Sequence, residues 1–320
     1  MLKGFENGQM GFEVQKHTEK QKRYYQIYEQ IYETPDIAVS QIAKNTLMAE
    51  DAVLKLMEEM YAHRIVFPPY LAMKPAENYA EYMHFLEFGS IDPVLPRLKR
   101  HPYVISCIPC RGAWNLLVTA FQLMCFKDLA EDFCIPLYQG RRGLTVTPKC
   151  SPSSSFEIGG ERKKGKRMPD LKIDWNEKGW MLYRGFRENM RKDVTPFLKE
   201  KKICYKEYIA WKKTVYDYCS VHTLFYPLGF YRYVHWYFLM ETGIGISSLF
   251  EEWPCSCIFI EVTPFVVAHV SAPVNEEKKL LRVSQWLWND LEITGFCAAP
   301  LYPQSRTYSQ PNRAKRRWYL

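Results

Sequence analysis

Ten residues in three places carry the side-chain chemistry of phosphate and base recognition. They are Lys44, Asn45, Thr46 and Lys55; then Arg162, Lys163 and Lys164; then Lys206, Lys212 and Lys213. Cations neutralise a phosphate backbone, and small polar side chains reach base edges and sugar–phosphate oxygens. Lys199, Lys201 and Lys202 thicken the third group, whereas Glu50 and Asp51 stand inside the first, where carboxylates favour a helix N-terminus and repel phosphate. The net charge of the chain is +8. Arg162, Lys163, Lys164, Lys166 and Arg167, with Arg313, Lys315, Arg316 and Arg317, exceed that total, so the rest is close to neutral. Cationic segments on a near-neutral body suit duplex DNA or another acidic surface; solvated basic linkers are the plain alternative.

Other candidate chemistry is thinner. Arg111-Gly112 sits in Tyr103 to Phe121, where a glycine lets backbone approach a ligand and the guanidinium suits a carboxylate; a hairpin dihedral is the simpler reason for that glycine. Cys107-Ile-Pro-Cys110 and Cys255-Ser-Cys257 fall on strand-like runs, and alternation puts the second pair on one face but splits the first, so buried thiols are expected, with a redox or metal sensor as the alternative. His84 and His235 recur in matching runs, Tyr-Met-His and Tyr-Val-His, as hydrogen-bonded structural histidines or as a ligand-contacting pair. The chain has no Walker loop, HExxH or G-x-S-x-G, and no catalytic residue, cofactor or metal is assigned.

The elements that must position these residues follow from periodicity. Tyr24, Ile27, Tyr28 and Ile31 mark one helix face, and Pro35 ends it. Residues 37–45 and 49–63, broken at Thr46-Leu47, complete a helix-turn-helix, and the Pro-bounded run from Arg64 reads as a wing. From Asn78 the period becomes two: strand 78–88, short helix 92–101, strand pair 103–121, helix 127–133 and strand 144–149, a βαββαβ order.

A winged helix-turn-helix followed by such a sandwich, with Gly112-Ala-Trp114-Asn115 before an apolar strand, resembles the Lrp/AsnC family of prokaryotic regulators over residues 20–150. The family typically has Asp where Asn115 stands. The resemblance implies DNA binding, pairing of sandwich domains, and an effector near the hairpin at Arg111, Gly112, Trp114 and Asn115. Beyond a Ser/Gly/Lys-rich linker the same start returns, with Asp174, Asn189-Met190-Arg191, helices over 194–201 and 205–218, and Pro196 tolerable only in a first turn. A second sandwich follows: strand 231–242, short helix 245–253, hairpin 255–273 with Thr263-Pro264 in place of Arg111-Gly112, helix 275–291 and strand 293–301.

The sequence therefore predicts an α+β chain of two tandem units, each a winged helix-turn-helix followed by a βαββαβ ferredoxin-like sandwich. The boundaries are 1–74, winged helix; 75–150, first sandwich; 151–170, basic linker; 171–228, a second, less regular winged helix; 229–305, second sandwich; 306–320, basic tail. The function this implies is a DNA-binding transcriptional regulator that senses a small-molecule effector at the first sandwich, as a monomeric internal pseudo-dimer or a homodimer. Two alternatives stand beside it: a tetrapyrrole enzyme of the sirohaem decarboxylase type, which resembles the chain in layout, and a non-catalytic protein-interaction scaffold. The N-terminus has no apolar leader, no run is long enough to cross a bilayer, and ten cysteines suit a reducing compartment, so a cytoplasmic protein with no membrane partner is expected.

Overall fold

The computed structural model describes residues 19–129, 133–152, 171–291 and 293–300. The basic clusters at 162–167 and 313–317 lie outside the described residues. The fold is α+β, two tandem units each of a winged helix-turn-helix followed by an antiparallel ferredoxin-like sheet.

In the first unit α1 (Glu19–Glu33), α2 (Val39–Thr46) and α3 (Glu50–Ala62) bury Tyr24, Ile27, Tyr28 and Ile31 against Ile42, Val53, Met57 and Met60, as the helical period requires. The second unit repeats this with α5 (Glu177–Phe186), α6 (Val194–Lys201) and α7 (Tyr205–Tyr218), on a core of Leu182, Phe186, Phe197, Tyr208, Trp211 and Val215. Pro196 sits in the first turn of α6, where no intrahelical N–H bond is lost. Asp193 caps that turn, accepting from the Thr195 N–H at 3.0 Å.

The wings do not close within their own units. Strand β1 (Tyr70–Met73) pairs antiparallel with β7 (Cys219–His222), Leu71 opposite Val221, so each unit completes the other. Phe225 of the second unit stacks on Tyr28 at 4.7 Å in the helical core of the first.

The first sheet contains β2 (Tyr82–Phe88), β3 (Val104–Gly112), β4 (Leu116–Ala120) and β5 (Cys134–Arg141), with α4 (Val94–Arg100) on one face. A two-residue strand, β6 (Thr145–Val146), follows. The second sheet contains β8 (Tyr233–Met240), β9 (Ile258–Val262), β10 (Phe265–Pro273) and β11 (Gly295–Pro300). Its covering layer is the 3-10 helix Ile244–Phe250 and α8 (Lys278–Gln285), which continues as a π-helical turn, Trp286–Asp290. The strand order β5-β2-β4-β3-β11-β8-β10-β9-β6 joins both sheets through β3 and β11.

Two expected elements differ. The fourth strand of the first sheet is Cys134–Arg141, not 144–149, and the helix expected at 127–133 is, within the described residues, a 3-10 turn at Lys127–Leu129. Pro136 hides the strand in the sequence: it sits where the β2–β5 register shifts, a place that tolerates a missing N–H. Segment 144–149 has another partner, because Thr145 and Val146 pair with Ile260 and Phe259 of the second unit.

Residues 142–144 carry the chain from β5 on β2 to β6 on β9. The Arg142 N–H donates to the Glu81 carbonyl at 2.7 Å, and the Gly143 N–H to the Glu261 carbonyl at 2.7 Å. Side chains from both units share one core beneath this crossing, with Met83, Phe85, Trp114 and Leu117 meeting Tyr237, Leu239, Val262, Val267 and Ala298.

Candidate nucleic-acid interface

Each unit presents a helix-turn-helix with a three-residue turn whose first residue is left-handed: Leu47 (φ 55°, ψ 35°) in one, Lys202 (φ 53°, ψ 42°) in the other. The second copy stands 155 positions after the first throughout, for Val39 and Val194 opening α2 and α6, and Glu50 and Tyr205 opening α3 and α7. The second winged helix is therefore as regular in backbone as the first.

Lys44 and Lys199 match on that shared frame, but three other exposed positions differ in charge. Leu47, Asp51 and Glu58 of the first unit are matched by Lys202, Lys206 and Lys213 of the second, all six exposed. Residues 36–62 hold two lysines against five carboxylates, while the equivalent 191–217 hold eight cations against four carboxylates. At the start of α7 the Cys204 N–H donates to Glu207 at 2.9 Å. Lys178, 2.7 Å from the same carboxyl, and that N–H hold Glu207 well below the usual carboxylate range. That carboxylate is thereby occupied within the domain, beside exposed Tyr205 and Lys206.

The residues singled out from the sequence are distributed as follows. Lys44 is exposed in the last turn of α2. Asn45 is engaged within the domain, accepting from Gln41 at 2.7 Å and donating to Gln30 at 2.5 Å, and the Thr46 hydroxyl donates to the Ile42 carbonyl at 2.7 Å. Lys55 is exposed on α3 between Asp51 and Glu58, its neighbours on the helix face. Lys206 and Lys213 are exposed on α7, whereas Lys212 pairs with Asp36 of the first unit at 2.6 Å. Arg191 adds to that joint by donating to the carbonyls of Pro35 at 3.1 Å and Ile37 at 2.9 Å. Arg162, Lys163 and Lys164 lie outside the described residues.

The hairpin residues take up positions within the fold. Gly112 ends β3 directly opposite Ala298 of β11, and a Cβ there would lie 2.7 Å from the Ala298 Cα. Trp114 is fully buried between the sheets. Asn115 clasps the end of β2, accepting from the Phe88 N–H at 2.9 Å and donating to its carbonyl at 2.6 Å. Arg111 is the member of the four with an exposed charged side chain.

A buried ionic cluster, which the sequence did not single out, connects the second winged helix to the first sheet. Glu81, 5% exposed, accepts from Arg142 at 2.6 Å and from the Tyr79 hydroxyl at 2.5 Å, with Arg187 3.8 Å away. Burial alone would raise its carboxyl, but the two guanidiniums and the hydroxyl bring it below the ordinary range, so it stays ionised. Arg142 also donates to Thr145 at 3.1 Å, and Arg187 lies over the Tyr183 ring. A small cleft lined by Met73, Lys74, Pro75, Tyr79, Ala80, Glu81 and Arg142 opens beside the cluster. Nearby His222 is pushed down to about 3 by burial and then by Arg142.

His84 and His235 are on opposite faces of their sheets, so they form no pair. His84 is two residues from Leu86 and four from Phe88 on the helix-covered side, edge-on to Phe126 at 4.9 Å. His235 is in line with Tyr237 and Leu239 on the inner side, hydrogen-bonded to Ser271 at 2.7 Å and to His269 at 3.1 Å. Burial lowers both, each to about 4, and keeps them neutral. The thiols of Cys107 and Cys110 fall in separate cores, Cys255 and Cys257 share one, and burial raises Cys110, Cys255 and Cys257. Among the described residues no group of three His, Cys, Asp or Glu side chains is placed to hold a metal, and no helix is long and apolar enough to cross a membrane.

No protein-family profile matches the chain, and no curated protein matches it. Among solved structures it is similar to the siroheme decarboxylase NirDL, seen alone and in co-complex with an iron-uroporphyrin III analogue. In both cases the identity is 12% over 88% of this chain and 91% of that one, with a TM-score of 0.44.

Proposed function

We propose that the chain is a double-stranded-DNA-binding transcriptional regulator. The observation that supports this reading is a helix-turn-helix whose outward positions are cationic: Lys202 at the turn, and Lys206 and Lys213 along α7. A recognition helix enters the major groove by its first turns, flanked by cations that hold phosphates in register. Tyr205 and Lys206 occupy that first turn, and Lys199 and Lys202 flank it. The test is a salt-titrated binding assay on the full chain with genomic fragments and random duplex. Binding should weaken steeply between about 50 and 200 mM salt, and some genomic fragments should bind at least tenfold tighter than random sequence. Salt-independent or absent binding overturns the reading.

A second reading is a tetrapyrrole-decarboxylating enzyme of the sirohaem decarboxylase type. Arg142, which lines the cleft, and Arg187 behind it on Glu81 support it, because guanidiniums suit carboxylate substituents. Glu81 already occupies both, so a substrate carboxylate would have to displace it. Mixing the protein with sirohaem should then shift the absorbance spectrum and release carbon dioxide. An unchanged spectrum with no decarboxylated product removes this reading.

A further inference from the structure

We infer that one chain occupies a DNA site without two-fold symmetry, contacting it through the second helix-turn-helix while the first stays off the duplex. This rests on the DNA-binding reading above and adds which unit binds and what shape of site it takes. A symmetric dimer with two equivalent helix-turn-helices reads two half-sites about 10 bp apart, centre to centre. Here the two units share that backbone frame and an exposed cation at Lys44 and Lys199, yet three further equivalent outward positions are Leu47, Asp51 and Glu58 in one and Lys202, Lys206 and Lys213 in the other.

The difference lies where contact would occur. In the first unit the helix that would enter the groove begins Glu50-Asp51, and its turn projects Leu47, 95% exposed. Two carboxylates facing phosphates, with no cation among the first five residues of α3, oppose approach. In the second unit the same turn begins Tyr205-Lys206, with Tyr205 65% exposed. Tyrosine offers a donor hydroxyl and a flat apolar ring, and lysine a mobile charge.

The first unit is also held in place against the second. The β1–β7 pairing, the Asp36–Lys212 ion pair and the Arg191 bonds to Pro35 and Ile37 fix one winged helix on the other. Lys212 is thereby engaged by the first unit, whereas Lys199, Lys202, Lys206 and Lys213 stay exposed.

Hydroxyl-radical footprinting of the full chain on its tightest genomic fragment, with the stoichiometry of the complex, tests the inference. One continuous protected patch and one chain per site are expected; two patches about 10 bp apart related by a dyad overturn it. The charge-reversed chain Lys202→Glu, Lys206→Glu, Lys213→Glu changes exposed side chains only, and circular dichroism checks its fold. It should bind at least a hundredfold more weakly at 100 mM salt, and its log–log salt slope should fall by roughly 2 to 3. If it keeps more than a tenth of the affinity, the second helix-turn-helix is not the main contact. That result sinks the asymmetry while leaving DNA binding intact; a wild-type chain that binds no duplex removes both.

Discussion

Gly112 and Ala298 lie directly opposite each other across the joint between the two sheets, with a φ of +143° at the glycine and no room for a Cβ between the strands. Any side chain at 112 would meet the backbone of Cys297 and Ala298 at 2.7 Å, and neither is free to yield inside a paired strand. Gly112→Ala should therefore cost about 2–4 kcal/mol. Urea unfolding would show this as a lower midpoint, and a midpoint within error of wild type would mean that the joint is loose.

Glu81 holds two guanidiniums in a buried setting, so removing its charge leaves Arg142 uncompensated and Arg187 with Glu188 alone, 3.2 Å away. Glu81→Gln should destabilise by about 3–5 kcal/mol, the range for breaking one partner of a buried pair. Because the folded-state pKa of Glu81 lies below its unfolded value, its contribution is complete above the unfolded pKa and is lost as pH falls through the folded one. Stability curves of wild type and Glu81→Gln should accordingly converge in acid. Parallel curves from pH 7 down to pH 3 would count against an ionised Glu81.

Four buried histidines give a second, separate pH dependence. His84, His222, His235 and His269 are all lowered first by burial, His84 and His235 to about 4 and His222 to about 3. The unfolded chain takes up these protons near pH 6.5 and the folded chain does not, so stability is complete above that pH and falls as pH drops towards 4. Each such histidine contributes up to about 1.4 kcal/mol per pH unit in that window. In His84→Gln the slope between pH 6 and 4.5 should be shallower by one proton; an unaltered slope would show that His84 titrates normally.

Leu47 is a leucine in a left-handed conformation with its side chain in solvent. A non-glycine residue in that region costs roughly 1 kcal/mol or more, and little packing offsets it here. Leu47→Gly should stabilise the chain by about 0.5–1 kcal/mol, a rise in Tm of about 1–3 °C, with no change in DNA affinity. A fall in Tm would indicate that Leu47 has a contact in solution.

The helical half of each unit was legible because its signal is local. Tyr24, Ile27, Tyr28 and Ile31 name their own buried face, and Asp193 with Pro196 marks the start of α6. Strand partners were not legible in the same way. Alternation tells which face of a strand is buried but not what it pairs with, so Thr145 and Val146 were placed beside the wrong neighbours. Glu81 was missed because a lone carboxylate in an aromatic run looks solvent-facing until Arg142 and Arg187, 61 and 106 positions later, fold onto it. The cationic face of α7 was visible as a cluster of lysines. That Lys212 belongs to a joint with Asp36 is a long-range contact that composition does not encode.

The exchange of wing strands also sets a timetable for synthesis. Met73 of β1 meets Cys219 of β7, a partner 146 residues further along the chain. At ribosomal speeds of about 5–20 residues per second, β1 waits roughly 7–30 s for that partner to be made. Throughout that interval the emerging first half has an unpaired strand and a helical core still lacking Phe225. Until the second half arrives, the first half has only the local contacts of its own α1–α3 bundle to hold it.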